Sequence, residues 1–509
     1  MTNSKYNNPI IPGFHPDPSI CRNGKDYYLV TSSFEYFPGV PIYHSRDLIH
    51  WEHIGYCLTR FSQLFLHKAP CSGGIWAPTI RFHNNTFYMT TTNHSDRGNF
   101  YVFAKDPAGE WSDPVWVDQG GIDPSLFFDD DGRVYYTSTG KIKGQSGIVQ
   151  SEIDIATGKR LTPVRFLWEG SGGCAPEGPH LYKFNNRYYL MIAEGGTEYG
   201  HMETVARSYS PWGPFESSPG NPILTHRNRK GYPIQGVGHA DLVQAHDGSF
   251  WGVCLGFRYT RKYFHHLGRE TFLVPVVFNE EGWPVFNGNG TVDMEMEAKC
   301  LPEQVFHSEI LKDDFNSDHL QRYWNFLRNP YQGTWSLTER RGYLVLHGSA
   351  LTMSDVDSPA FIGKRQEHFN CEVKTNMEFY PEKNGEEAGI TVYLNSEQHY
   401  DFFIARMGGK CQLAIRRVVG DMCYIASKED ILAKPVILSI SADKYEYTFS
   451  YGYGKDSVKA LNTARTQFVS TEAGILGFVG VYFGLYATGN GKRCTVPAYF
   501  DWFEYNVLE

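Results

Sequence analysis

The first 300 residues alternate between short apolar strands and polar turns, and this pattern repeats along the chain. Each unit runs from a polar or proline-marked start into one strand, through a tight turn, and into a second strand rich in aromatic residues. Five segments share the plan: DPSICRNGKDYYLVTSS, APTIRFHNNTFYMTTTN, DPSLFFDDDGRVYYTST, APEGPHLYKFNNRYYLMIAEG and HADLVQAHDGSFWGVCLGF. The pattern predicts a β-hairpin that occurs five times.

The spacing of the repeat indicates how many strands each unit contains. Measured between Tyr28, Tyr88, Tyr136, Tyr189 and Trp251, the intervals are 60, 48, 53 and 62 residues, which accommodates about four strands and their loops. A β-sandwich repeats at shorter and less regular intervals, and a (β/α) barrel needs alternating helices. The first 300 residues are therefore predicted to form a five-bladed β-propeller.

A different pattern follows. Alternating runs such as YLVLHG, CEVKTNMEFY and YEYTFSYG are separated by polar turns and show no helical period. They predict an antiparallel β-sandwich. The whole chain is thus predicted to be all-β, with a propeller over residues 1–300 and a sandwich over residues 301–509.

Composition narrows the classes of partner. The net charge of −9 and the absence of basic patches argue against nucleic acid. The sequence contains no run of eighteen apolar residues, so no membrane span is predicted. The N-terminal MTNSKYNNPIIPGF has neither the basic nor the apolar region of an export signal, so we expect a cytoplasmic protein.

The ten cysteines occur singly, without a C-x-x-C pair, and are interpreted as small core residues. Aromatic residues make up 15% of the chain and suit stacking on flat, neutral ligands.

The starts of the repeats carry the candidate chemistry. In a propeller the innermost strand of each blade lines the central channel, so equivalent positions face one another. These positions hold Asp17 (HPDPS), Trp76 (IWAPT), Asp123 (IDPSL), Glu177 (APEGP), and the pair His239 and Asp241 (GHADL). Carboxylates aimed at one small volume repel one another unless they differ in protonation or take part in chemistry. The alternative is that each acid caps its own turn.

Asp17 is also constrained by its neighbours, because it lies between Pro16 and Pro18. A following proline pushes a residue toward extended geometry. We therefore expect extended backbone at Asp17, with its carboxylate held at a fixed distance from the other two acids.

At these motifs the sequence resembles glycoside hydrolase family 43, and more narrowly the two-domain β-xylosidases of that family. The segments GFHPDPSI, SSFEYFPGVPIYHSRDL, GGIWAPTIRF, GIDPSLFFDDDG, APEGPHLYK, GVGHADLV and LGRETFLVPV occur in the family's order. The resemblance implies that Asp17 is the general base, Glu177 the general acid, and Asp123 the carboxylate that orients and tunes the acid. Physically, the negative charge of Asp123 is expected to raise the pKa of Glu177, and Arg269 is expected to keep Asp17 ionised.

The resemblance also implies that the sandwich is of the jelly-roll, concanavalin-like kind and packs on the propeller, and it implies substrate contacts. Arg269 corresponds to an arginine that reaches substrate hydroxyls and the carboxylates, and Phe34 and Trp76 to walls of the terminal-sugar pocket. His239 corresponds to a histidine under the pocket floor, which in some relatives holds a calcium-centred water cluster. Tyr482, in GVYFGLYATGNG, is aligned with an aromatic residue that the sandwich sends over the pocket. No cofactor is expected to be required, although a calcium ion in the channel is compatible with the resemblance.

The resulting hypothesis is an inverting exo-glycosidase that removes D-xylose from the non-reducing ends of β-1,4-xylooligosaccharides, with α-L-arabinofuranosidase side activity. Its substrates are expected to be xylooligosaccharides or arabinoxylan fragments, and the resemblance implies a homodimer or homotetramer. Two alternatives stay open: a dedicated α-L-arabinofuranosidase, and a non-catalytic glycan-binding propeller.

Overall fold

The computed structural model describes residues 4–260, 263–298, 312–454, 458–474 and 477–508. Within these residues the regular structure is almost entirely β, which confirms the predicted fold class. The predicted domain boundary between residues 300 and 301, and Cys300 with it, lies outside the described ranges. None of the described residues forms a helix long and apolar enough to cross a membrane.

Five antiparallel sheets form the propeller. Blade 1 contains Ser19–Asn23, Asp26–Val30, Gly39–Ser45 and Glu52–Leu58. Blade 2 contains Ile75–His83, Thr86–Asn93, Gly98–Ala104 and Val115–Trp116. Blade 3 contains Ser125–Phe128, Val134–Ile142, Gln145–Glu152 and Arg165–Trp168. Blade 4 contains Glu177–Phe184, Arg187–Glu194, Met202–Ser208, Glu216–Ser217 and the short Leu224–Thr225. Blade 5 contains Ile234–Gln244, Phe250–Arg258, Glu270–Phe278 and Pro284–Phe286.

The hairpins form where the sequence predicts them. All five aromatic residues used to measure the repeat lie on the second strand of a blade. In blades 2 and 4 the first hairpin turns through paired asparagines, and Asn84 and Asn85 have φ of 48° and 55°. Asparagine tolerates this left-handed backbone, which a tight hairpin turn requires at both central positions. Local turn chemistry therefore sets the register of these blades.

The ends of the propeller are joined by its N-terminal segment. Ser4–Asn7 pairs antiparallel with Glu295–Ala298, the last described strand before the sandwich. The Asn8 amide then donates to the carbonyl oxygen of Leu273 and accepts from its backbone N–H, which ties the segment to blade 5. The first residues thus fasten blade 5 in place without adding a strand to its sheet.

The sandwich consists of two antiparallel sheets and two short 3-10 helices. The first sheet contains Lys312–Asp313, Trp335–Ser336, Leu344–Leu346, Cys371–Glu378, Val436–Ala442, Glu446–Gly452, Val458–Arg465 and Ala498–Val507. The second contains Ala360–Arg365, Glu387–Asn395, Gln398–Met407, Lys410–Val419, Met422–Asp430 and Tyr482–Thr488. The helices are Thr466–Val469 and Thr471–Ala473.

The two domains share backbone pairing and a core. Phe326–Leu327, at the start of the sandwich, pairs with Tyr36–Phe37 of the propeller. One continuous apolar cluster runs from blades 1 and 2 into the sandwich. An interface built from strand pairing and buried apolar side chains holds the domains in one fixed arrangement.

A layer of polar side chains around Asp241 joins the inner strands. The buried Asp241 carboxylate accepts hydrogen bonds from Ser19 of blade 1, from Arg81 of blade 2 and from Tyr182 of blade 4. Although burial by itself raises the pKa of Asp241, the Arg81 guanidinium lowers it below its usual range. The carboxylate is therefore ionised and fully paired.

The remaining blade is joined through a histidine. Nη2 of Arg81 lies 3.0 Å from Nδ1 of His180. Nδ1 of His180 also lies 3.3 Å from the hydroxyl of Ser125 in blade 3. All five blades are thus linked around the axis, and we refer to Asp241, Arg81, Ser19, Tyr182, His180 and Ser125 as the axial polar layer.

The axial polar layer predicts a large stability effect for Asp241→Asn. This substitution leaves the Arg81 guanidinium buried without its counter-charge, and removal of one partner of a buried ion pair costs about 3–5 kcal/mol. We expect a melting temperature lower by several degrees, measured by circular dichroism. The matched control is Asp118→Asn, because the Asp118 side chain is exposed and pairs with Arg160 at 3.2 Å on the surface. Equal shifts in the two variants would contradict the role of the layer.

Candidate active site

A pocket of about 260 Å³ lies at one end of the propeller channel. Every blade contributes to its wall, and so does the sandwich. The predicted site residues that line it are Asp17, Phe34, Trp76, Asp123, Glu177, His239 and Arg269. The structure therefore brings together seven of the eight residues that the sequence analysis selected.

The three acids reach the pocket from equivalent places. Asp17 and Asp123 each lie two residues before the first strand of their blades, and Glu177 is the first residue of the innermost strand of blade 4. The axial polar layer begins two or three residues further along the same strands, at Ser19, Ser125 and His180. The pocket floor is therefore supported by the layer that joins the blades.

The backbone at these acids differs from the expectation. Asp17 and Asp123 both have φ of 54°, and His239 has φ of 50°, so all three are left-handed rather than extended. The prediction of extended geometry at Asp17 is wrong because aspartate tolerates the left-handed region better than most residues, and the tertiary structure selects it here. Each such position costs of order 1–3 kcal/mol, and strain of this kind clusters at functional sites.

Asp17 is held by two donors. Ser32 donates to one of its oxygens at 2.5 Å, and Nη1 of Arg269 donates to the other at 2.9 Å. The same Arg269 nitrogen also donates to the hydroxyl of Thr197 at 2.9 Å. Both members of the Asp17–Arg269 pair are buried, so this charge-assisted hydrogen bond is only weakly screened by water.

Asp123 and Glu177 have no such cation of their own, and they retain a proton more readily than free carboxyls. Burial is the main cause that raises the pKa of Glu177 to about 7; the charge of Asp17 adds to this and Arg269 opposes it. Burial, followed by the charges of Glu177 and Asp17, raises the pKa of Asp123 well above its usual range. The sequence predicted that the charge of Asp123 raises the pKa of Glu177; in the structure burial and the charge of Asp17 raise it, and repulsion from Glu177 instead raises the pKa of Asp123.

Hydrogen bonding distinguishes these two carboxyls. The backbone N–H of Gly178 donates to Asp123 at 3.1 Å, which favours the ionised form of that group. Among the described residues, none donates a hydrogen bond to the Glu177 carboxyl within this structure. Glu177 is thus the acid whose proton is free to reach a ligand in the pocket.

Aromatic rings form one wall. Trp76 lies 5.6 Å from Phe478 and 6.4 Å from Phe34, measured between ring centroids. On its other face Trp76 stacks on the exposed His94 at 4.0 Å, and its indole N–H donates to the carbonyl oxygen of Ser72. The wall is therefore fixed in orientation before any ligand binds.

The prediction for Tyr482 is wrong in this structure. Tyr482 begins a sandwich strand, is fully buried and stacks on Tyr36 at 4.1 Å in the core between the domains. Phe478, four residues earlier, is the sandwich residue that lines the pocket. The aromatic and apolar run YFGLYAT predicts a strand. A strand here places Tyr482 in a core and leaves the preceding segment, which contains Phe478, as the loop.

Other pocket residues gave no signal in the sequence. Thr197 and Glu198, which follow the second strand of blade 4, line the pocket, and Ser32 supports Asp17 from blade 1. Single hydroxyl and carboxyl residues in loops are too common to be selected without knowing the fold.

The sandwich fixes the segment that carries Arg269. Glu472 accepts hydrogen bonds from the backbone N–H of His265 at 2.9 Å and contacts its ring at 2.6 Å. The backbone N–H of Val481 donates to the carbonyl oxygen of His266. Gly480 lies directly against Leu267, so close that a Cβ there would come within 2.3 Å of the Leu267 oxygen. His265 and His266 thus lie at the domain interface rather than in a free loop.

The expected calcium ion does not fit direct coordination by side chains. No group of three or more His, Cys, Asp or Glu side chains in the described ranges is arranged to hold a metal. Asp241, the nearest carboxylate in sequence to His239, is already paired with Arg81, Ser19 and Tyr182. Calcium binds oxygen ligands, and burial lowers the pKa of His239 so that its ring is neutral. An ion held through water at His239 stays a prediction, and no step below depends on it.

Three acids and an arginine in a small aromatic pocket of a five-bladed propeller suit the hydrolysis of a glycosidic bond. Residues 6–284 match the model of glycosyl hydrolases family 43, and residues 312–506 match the beta xylosidase C-terminal concanavalin A-like domain. The chain belongs to glycoside hydrolase family 43.

Similar proteins span the whole chain. The non-reducing end alpha-L-arabinofuranosidase BoGH43B of Bacteroides ovatus is 45% identical over 100% of this chain and 96% of its own length. A xylosidase/arabinosidase of Butyrivibrio fibrisolvens is 40% identical over 99% of each chain. The solved structure described as Bacteroides ovatus Xyloglucan PUL GH43B superposes with a TM-score of 0.95, covering 99% of this chain and 100% of that one.

The contact at Gly480 predicts that the sandwich controls activity. Gly480→Ala pushes a methyl group against the Leu267 oxygen and displaces the segment that carries Arg269, two residues further on. We expect kcat on a nitrophenyl pentoside to fall about tenfold or more, because small misplacements at a reacting centre have large effects. Gly220→Ala is the control, since the nearest atom to a Cβ there is a serine hydroxyl at 3.6 Å. An unchanged kcat in Gly480→Ala would show that the domain contact does not position the site.

Proposed function

We propose that the protein is an exo-acting, inverting glycosidase that removes single pentose units from non-reducing ends. The observation that carries this proposal is the pocket itself. Its volume of about 260 Å³ lies below the range of roughly 300–1,000 Å³ typical of sites for drug-sized ligands, so it suits one sugar rather than a chain. Phe478 of the sandwich lines one side of this pocket. A pocket closed on one side favours removal of terminal sugars, whereas internal cleavage needs an open groove.

The proposed chemistry assigns one step to each side of the sugar. Asp17, which pairs with Arg269, removes a proton from a water molecule, whose oxygen forms the new bond to the anomeric carbon. Glu177 gives its proton to the glycosidic oxygen as the bond from that oxygen to the anomeric carbon breaks. Asp17 and Glu177 belong to the non-adjacent blades 1 and 4, which is compatible with the gap for a water molecule that inversion requires.

Two terminal sugars are candidates. The sequence resemblance favours β-D-xylosyl ends of β-1,4-xylooligosaccharides, and the match to the beta xylosidase C-terminal domain supports it. The 45% identity to an α-L-arabinofuranosidase supports α-L-arabinofuranosyl ends, and the xylosidase/arabinosidase relative is named for both activities. We propose that one pocket accepts both pentoses and that arabinofuranosides, including those on arabinoxylan fragments, are the better substrates.

The stereochemical test uses proton NMR of the newly released sugar. Xylobiose hydrolysed by the parent protein should release α-xylose first, and Glu177→Ala should reduce the rate at least a thousandfold. Initial release of β-xylose would mean that Asp17 acts as a nucleophile rather than a base. Paired 4-nitrophenyl α-L-arabinofuranoside and β-D-xyloside assays then give the preference as a ratio of kcat/KM. No turnover of any of these substrates would favour a glycan-binding propeller instead.

The pKa of Glu177 predicts the alkaline side of the pH profile. Glu177 acts as an acid only while protonated, and its pKa is raised to about 7, so kcat/KM should fall as pH rises through about 7. The fall should be weaker with a 2,4-dinitrophenyl glycoside, whose leaving group needs no proton. Glu177→Gln should abolish the difference between the two profiles. An identical alkaline limb for both substrates in the parent would show that another group controls it.

A further inference from the structure

An exposed cluster of rings lies at the surface where the two domains meet. Phe65 of the propeller lies 5.2 Å from the ring of His67, which stacks at 5.0 Å on Tyr331 of the sandwich. The exposed fractions of Phe65 and Tyr331 are 55% and 42%. Isolated exposed aromatic residues are common, but contiguous ones with polar neighbours mark interaction sites. We call Phe65, His67 and Tyr331 the aromatic platform.

The platform is rigid, although it is formed by loops. The side chain of Asn329 accepts from the backbone N–H of Leu66 at 2.6 Å and donates to the carbonyl oxygen of Leu64 at 3.1 Å. Leu64 and Leu66 are buried on either side of Phe65. The propeller loop is thus pinned to the sandwich loop that carries Tyr331, and a ligand binding there meets rings that are already ordered.

Polar groups accompany the rings. The Tyr331 hydroxyl donates to the carboxylate of Asp357 at 2.9 Å, and the hydroxyl of Ser358 lies 3.4 Å from Nδ1 of His67. Aromatic faces beside hydroxyl and carboxylate groups match a sugar ring, which has apolar C–H faces and a rim of hydroxyls. The Asp357 carboxylate disfavours an anionic chain, so the matching ligand is a neutral polysaccharide.

The platform connects to the catalytic pocket through blade 2. The Asn93 side chain donates to the carbonyl oxygen of Phe65 at 3.3 Å. The next residue, His94, is exposed and stacks on Trp76 of the pocket wall. Neighbouring residues of blade 2 therefore link the pocket wall to the aromatic platform.

We propose that the aromatic platform binds the neutral main chain of a polysaccharide whose terminal or branching pentose occupies the pocket. This proposal rests on the proposed function for its account of the pocket, and it adds a second contact that short substrates do not make. Binding energy from this remote contact brings polymeric substrates to the site and lowers KM for them selectively.

The kinetic test compares two substrates. In Phe65→Ala with Tyr331→Ala, the kcat/KM on soluble arabinoxylan divided by that on 4-nitrophenyl α-L-arabinofuranoside should fall about five- to tenfold, mainly through KM on the polymer. Tyr209→Ala is the matched control, because Tyr209 is 76% exposed and lies on blade 4 beside Arg187. An unchanged ratio in the double variant would overturn the proposal.

A binding test needs no turnover and so separates this proposal from the proposed function. Native electrophoresis through a gel containing arabinoxylan should retard Glu177→Gln, and adding the two platform substitutions should remove most of the retardation. Equal retardation with and without them would overturn the platform. A change in oligomeric mass of the platform variants, measured by light scattering, would also overturn it, because the rings would then form a contact between copies of the chain.

Discussion

The buried carboxylate of Asp241 is the interaction on which the geometry of the propeller depends. It joins the inner strands of blades 1, 2 and 4 to that of blade 5, and His180 and Ser125 extend the network to blade 3. Each blade is a separate sheet, and backbone hydrogen bonds between blades are local, as between Phe34 and Ile75, so buried side chains also hold the blades together around the axis. Since Asp17, Asp123 and Glu177 begin the strands that this layer joins, the spacing of the acids follows from it.

Above that layer the protein places three buried acids around a single arginine. Arg269 pairs with Asp17, and burial leaves Asp123 and Glu177 with raised pKa values. With one cation for three acids, Asp17 has an ion-pair partner, whereas Asp123 and Glu177 retain a proton more readily. Left-handed backbone at Asp17, Asp123 and His239 shows that this arrangement is imposed by the fold against local preference.

The sequence predicted the parts of the site that local motifs encode. The five-fold hairpin repeat gave the fold, and its equivalent positions gave Asp17, Asp123 and Glu177, because each acid stands at the same place in its unit. Trp76 and His239 also stand at starts of the repeat, and the family resemblance added Arg269 and Phe34. The supporting contacts could not be predicted, since Thr197 meets Arg269, and Arg81 meets Asp241, across long stretches of chain. Tyr482 and Phe478 were confused because strand and loop aromatics look alike until the strand boundary is known.

The close approach of Gly480 to Leu267 and Gly268 makes the geometry of the propeller site depend on the sandwich. A Cβ at Gly480 would lie 2.3 Å from the Leu267 oxygen, and a Cβ at Gly268 would lie 2.9 Å from the Gly480 Cα. The propeller surface therefore fits only a sandwich that has a glycine at this position. Exchange of the sandwich for that of a distant relative would disturb the active centre even if both halves folded normally. For the same reason, heat that merely separates the domains would inactivate the protein before either half unfolds. A change confined to the interface between the domains would therefore reduce activity without unfolding either domain.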